Sequence, residues 1–131
     1  MWNEIMTETD ARKFVNRVYG FHDSCIKELN YISGAYVAED FGMRPLNTKR
    51  RLKLIIQSQM ESVGTIEMEF SGVEFFSMRP CSEEWTCEIL EASLTIKDGK
   101  IWWYDEAERF VEDTQEYGGN VIEKSFLQRG K

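Results

Sequence analysis

The chain holds a single histidine, and it stands in the run His22-Asp23-Ser24-Cys25, where an imidazole, a carboxylate, a hydroxyl and a thiol are adjacent. Three kinds of chemistry could use such residues. The first is nucleophilic: His22 as base, with Ser24 or Cys25 as nucleophile. On an extended backbone His22 and Ser24 can align, whereas His22 and Cys25 point to opposite faces. Nucleophile and base are ordinarily delivered by separate segments and oriented by a third group. The chain has no Gly-x-Ser-x-Gly elbow and no glycine loop of the phosphate-cradling kind. The second is metal binding, since His22, Cys25, Cys81 and Cys87 are all zinc-competent. His-x-x-Cys followed much later by Cys-x5-Cys does not match the close ligand pairs of structural zinc sites. Cysteines acting as small buried hydrophobes are the simpler reading. The third is carboxylate catalysis by Glu67 with Glu69, or by Glu83 with Glu84. One carboxyl would need a pocket that raises its pKa, and solvated strand faces carry such pairs routinely.

The run therefore reads as a structural corner, with no catalytic, cofactor-binding or metal residue assigned. Gly20 ends a helix, Phe21 plugs the core, and His22 to Ser24 turn the chain into a sheet. Asp23 or Ser24 can accept N–H groups of the turn, and His22 can donate to a backbone carbonyl. On that reading His22→Ala costs roughly 1–3 kcal/mol of stability and removes no chemical step. A small enzyme or ligand-binding domain with a pocket around His22 is the alternative.

The elements that must position this corner follow from periodicity. Ala11, Phe14, Val15 and Val18 line one face of a helix that Thr7 or Thr9 can cap, with Glu8 and Asp10 at its positive end. Trp2, Ile5 and Met6 are expected to fold back as a lid. CIKELNYISGAYV fits a helical stripe and a strand face alike; its β-branched residues and Gly34 favour a strand. AEDFGMRPLNT reads as a loop. RRLKLIIQSQM and GTIEMEF alternate, with Leu52, Leu54, Ile56, Ile66, Met68 and Phe70 inward, and Gly72 marks a bulge. Asp98-Gly99 predicts a two-residue hairpin loop joining WTCEILEASLTI to KIWWY, with Ile96 facing Ile101 and Leu94 facing Trp103. Leu90, Ala92, Leu94, Ile96, Ile101 and Trp103 then share one face, and Trp102 and Tyr104 the other. VIEKSFLQ can close the sheet as its last strand.

These elements predict one α+β domain over residues 1–131: an N-terminal helix on a curved, mostly antiparallel sheet of about five to six strands. A chain of 131 residues can bury a core without staples, and 42% hydrophobic content excludes a disordered chain. Three cysteines, acids at the N-terminus and no long apolar run point to a cytoplasmic protein with reduced thiols and no membrane span. A net charge of −7 repels phosphate backbones, so nucleic acid is not an expected partner, and no cofactor is expected.

The charge is unevenly spread. No acid occurs from Phe41 to Met60, where Arg44, Lys49, Arg50, Arg51 and Lys53 cluster. Asp105, Glu106, Glu108, Glu112 and Asp113 form an acidic run, flanked or interleaved by Trp102, Tyr104, Phe110 and Tyr117. Ordinary surface charge explains both segments. The acidic one is alternatively a landing surface for a basic protein partner, with the aromatics, read as exposed, as anchors.

GFHDSCIKELNYISGAYV, with His-Asp-Ser leading into the first strand, resembles several bacterial families of small α+β proteins, some of them assigned as immunity proteins of polymorphic-toxin systems. The resemblance covers about residues 10 to 37. It implies strands after the corner and a protein that acts by binding, and it carries over no catalytic residue. The expectation is a non-enzymatic binding protein that neutralises a toxin through its acidic, aromatic-bearing surface.

Overall fold

The computed structural model describes residues 2–78, 80–105 and 121–130, the last stretch as backbone. Its elements run β1 (Asn3–Ile5), α1 (Glu8–Arg17), a 3-10 turn (Tyr19–Phe21), β2 (Ser24–Ile32), β3 (Tyr36–Val37), β4 (Met43–Arg44), β5 (Arg51–Ser58), β6 (Thr65–Ser77), β7 (Ser93–Lys97), β8 (Lys100–Tyr104) and β9 (Val121–Gly130). α1 starts where its sequence says it should. The Thr7 hydroxyl accepts from Asp10 N at 3.1 Å, and the Asp10 carboxylate accepts from Thr7 N at 3.1 Å and Met6 N at 3.0 Å. This reciprocal box satisfies amides that a helix start leaves orphaned.

The strands make a seven-stranded antiparallel sheet in the order β2-β5-β6-β9-β8-β7, with β1 also on β9, and β3 pairs with β4 apart from it. One helix packed with antiparallel sheets is the predicted α+β class; the strand count is higher than predicted. Leu52, Leu54, Ile56, Ile66, Met68 and Phe70 are buried as their alternation requires. The same core takes in Ala11 and Phe14 of α1, Val18 at its C-cap, Leu94 of β7, and Ile101 and Trp103 of β8. The Phe21 ring meets Phe14 at 5.5 Å and Trp103 at 5.9 Å, both edge-on, and so joins α1, the turn and β8.

β2 shows why its sequence was ambiguous. Its pairing with β5 slips by one residue between Ile26 and Glu28. Ile26 lies opposite Ile56, and Leu29 lies opposite Leu54, so both side chains face the core although they stand three positions apart. A β-bulge at Lys27 absorbs the odd residue, and it breaks the period-two pattern that identifies a strand. At the predicted second bulge, Gly72 is left-handed (φ 68°), and Val73 N donates to Arg50 O at 3.0 Å.

Three expectations are corrected. Trp2, Ile5 and Met6 form no lid: β1 pairs with β9, Ile5 is buried, and Trp2 and Met6 are exposed. WTCEIL is not strand, because β7 begins at Ser93, and Leu90 is exposed while Ile89 and Ala92 enter the core. The hairpin register itself is as predicted, with Leu94 on Trp103 and Ile96 on Ile101. The last strand, β9, is present as predicted, and it sits between β6 and β8. AEDFGMRPLNT contains part of a hairpin, because β4 lies within it and pairs with β3. Among the described residues no helix is long and apolar enough to cross a membrane.

Candidate functional site

After α1, Tyr19, Gly20 and Phe21 all adopt left-handed φ values, 55°, 66° and 64°, and Asp23 follows at 56°. Such angles disfavour residues with a Cβ, so neighbouring bonds must hold the turn. Asp23 N donates to Ile89 O at 3.1 Å, Ile89 N to Ser24 O at 2.7 Å, Gln59 N to Asp23 O at 2.9 Å, and Ala92 N to Gly20 O at 2.9 Å. The corner thus clamps the end of α1, the start of β2, the β5–β6 connection and the segment leading into β7.

The four residues of the run diverge there. His22 Nδ1–H donates to Leu90 O at 2.7 Å, and Nε2 lies 3.4 Å from Asp23 Oδ2, with both side chains about half exposed. Ser24 is buried, and its hydroxyl donates back to Phe21 O. Cys25 pairs with Gln57 on the opposite face of the sheet from Ile26. The predicted donation from His22 to a backbone carbonyl is present, but the imidazole addresses neither Ser24 nor Cys25. Asp23 or Ser24 was expected to accept N–H groups of the turn; the Ser24 hydroxyl donates to Phe21 O instead. His22 is also more exposed than a buried structural histidine.

Beside the corner lies an open hollow of about 540 Å³ lined by Asp23, Ser24, Cys25, Gln57, Ser58, Gln59 and Glu88. His22 is not among its lining residues. The Thr86 hydroxyl, then the residue's own N–H, hold the Glu88 carboxyl below its ordinary value. Two carboxylates, amides and hydroxyls make the hollow a hydrogen-bonding surface without a cationic side chain. Periodicity offered no hint of Gln57, Gln59 and Glu88 here, because strand pairing and the Ile89 bridge bring them to Asp23. Cys81 and Cys87 are exposed free thiols. Among the described residues no three of His, Cys, Asp and Glu are placed to share a metal ion.

A second surface was not singled out in the sequence. Between β2 and β5 the chain projects as an arm whose strands β3 and β4 pair Tyr36 with Arg44 and Val37 with Met43. Ala38 N donates to Gly42 O and Phe41 N to Ala38 O, both at 2.9 Å, closing its tip. Ser33 O accepts from both Lys49 N (3.0 Å) and Arg50 N (3.1 Å), fixing its base. Phe41 at the tip is 88% exposed, and Tyr36, Val37, Met43 and Leu46 are each more than half exposed. Ile32 and Tyr31 continue the apolar surface at the base, where Tyr31 meets Phe76 at 5.2 Å.

The basic segment divides in two. Arg51 reaches Glu69 and Lys53 reaches Glu67, each at 3.1 Å, so the strand acids are partly neutralised across β5 and β6. Arg44, Lys49 and Arg50 form no ion pair among the described residues; Arg44 stands in β4 and the other two at the arm's base, while Glu39 and Asp40 precede Phe41 at its tip. Of the expected acidic surface, Glu106, Glu108, Phe110, Glu112, Asp113 and Tyr117 lie outside the described residues. Asp105 is half-buried. Trp102 and Tyr104 are not exposed anchors: both are buried, and their rings stack at 6.2 Å. Both faces of β8 carry bulk, and both are covered. No protein-family model, curated protein or solved structure matches the chain.

Proposed function

We propose that this is a non-enzymatic binding protein whose contact surface includes the β3–β4 arm. The observation that carries the reading is the arm itself: Phe41 is 88% exposed on a hairpin fixed at tip and base. Apolar side chains gathered on one rigid projection mark a contact site more often than scattered ones do. The divergence of His22, Ser24 and Cys25 supports binding over catalysis by the run. The resemblance of the GFHDSC segment makes toxin neutralisation the specific form of the proposal. The net charge of −7, with exposed Glu39 and Asp40 beside Phe41 at the arm's tip, suits a basic toxin, drawn by long-range attraction before the apolar contact forms.

The test is titration of the purified protein against the toxin encoded beside it, followed by toxin activity. The intact protein is expected to bind and inhibit. Phe41→Ser is expected to weaken binding at least about tenfold, as loss of an aromatic anchor does, while changing stability by no more than about 0.5 kcal/mol, as befits an exposed site. Undiminished toxin activity in excess protein would refute the neutralising role. Unchanged affinity in Phe41→Ser would remove the arm from the contact.

A further inference from the structure

Among the described residues the main sheet has three strands paired on one side only: β2, β7 and the three-residue β1, which meets β9 alone. β7 is closed, because α1 packs against it and the Glu8 carboxylate accepts its Ile96 N–H at 3.1 Å. β2 is closed only at one end, where Ser24 bridges Ile89. Beyond that bridge no described residue pairs with its outer side, and Lys27, Glu28, Asn30, Tyr31 and Ile32 are exposed.

An open edge of this length is a template for another strand. Its bulge and Lys27 discourage a generic strand, which would leave the ammonium without a partner. One strand answers it, namely β2 of another copy. If two β2 strands run antiparallel about a two-fold axis between Lys27 and Glu28, each lysine faces the other copy's glutamate. In that register Ile26 faces Leu29 twice over, and both are core-side residues, so the apolar layer continues across the axis. Cys25 faces Asn30, and the pairing ends at Ser24, where the Ile89 segment already stands.

We propose that the protein forms a two-fold dimer through β2, with Lys27 opposite Glu28 of the second copy. The two arms then project from opposite ends of the doubled sheet. Each arm's base, with Lys49 and Arg50, approaches the end of the other copy's β2 where Asp23 and Glu88 line the hollow. This interface is independent of what the arms bind.

Sedimentation velocity on the full chain tests it. The intact protein is expected to dimerise, and Lys27→Glu and Glu28→Lys, which set like charges face to face twice, are each expected to weaken the dimer about tenfold or more. An equimolar mixture of these two variants is expected to recover a dimer, because one copy then presents two acids to the other's two lysines. Recovery on mixing cannot come from a misfolded variant. Asn30→Cys in a Cys81→Ser/Cys87→Ser background should also cross-link to Cys25 of the second copy on mild oxidation, since opposed residues lie within disulfide reach. A protein that stays monomeric at all attainable concentrations would overturn the proposal, as would a mixture that fails to associate. A dimer indifferent to both charge reversals but lost in Phe41→Ser would move the interface to the arm and overturn it equally.

Discussion

The imidazole of His22 holds Leu90 O at 2.7 Å from a half-exposed position, and that exposure sets what the bond is worth. Water can replace either partner, so His22→Ala should cost about 0.5–1.5 kcal/mol in chemical denaturation. This is less than burial would have implied. A loss above that range would show that the ring also supports the left-handed turn from Tyr19 to Phe21. Asp10 gives a second prediction. The N–H of Met6, then the N–H and hydroxyl of Thr7, hold its carboxyl below the ordinary aspartate value, with Lys13 adding a little. A carboxyl so lowered contributes stability above its unfolded pKa and loses it as pH falls through the folded value. The difference in stability between the intact protein and Asp10→Asn should therefore be full at neutral pH and shrink in strong acid. A difference that does not change with pH would mean that the charge is not what the cap uses.

Among the elements, the arm depends most on one residue. Gly34 has φ +99°, and a Cβ there would stand 2.5 Å from Thr48 Oγ1 and 2.7 Å from Lys49 N. Backbone cannot yield as a side chain would, so Gly34→Ala should cost roughly 1–3 kcal/mol. The damage should appear first as faster hydrogen exchange at Lys49 and Arg50, whose amides bond to Ser33 O. Unchanged exchange at both amides would show that the arm's base adapts. Legibility in the sequence also varied by element. β5 and β6 were readable because strict alternation and burial coincide from Leu52 to Phe70. The β7–β8 register was readable from Asp98-Gly99, where both residues adopt positive φ, 55° and 75°. β2 was readable as a strand only from its β-branched residues and Gly34, not from periodicity, because the bulge at Lys27 shifts its inward face by one residue. The segment before β7 misled because Ile89 and Ala92 are apolar for contact with the corner and core, not for strand pairing. Of the candidate site, the turning role of GFHDSC could be read locally. The hollow beside it could not, since Gln57, Gln59 and Glu88 reach it through pairings distant in sequence.

At the scale of the molecule, charge and apolar surface are divided in a way composition conceals. A net charge of −7 describes the whole, yet the arm bearing exposed Phe41, Met43 and Leu46 sets Glu39 and Asp40 at its tip against Arg44, Lys49 and Arg50 towards its base. The strand order has a consequence for synthesis. β9 is made after every other strand, yet it lies between β6 and β8 and also receives β1. As the chain leaves the ribosome, β2, β5 and β6 can assemble, and β7 and β8 can close their hairpin, but no strand yet pairs with both groups, which meet through the corner at Asp23, Ser24 and Ile89 and through core packing. Until β9 arrives, the margins of β6 and β8 that it will fill are unsealed, and β1 has no strand to join. A nascent chain stalled before residue 121 therefore carries two half-sheets seeking the same missing strand, and a chaperone would have most to shield at that moment.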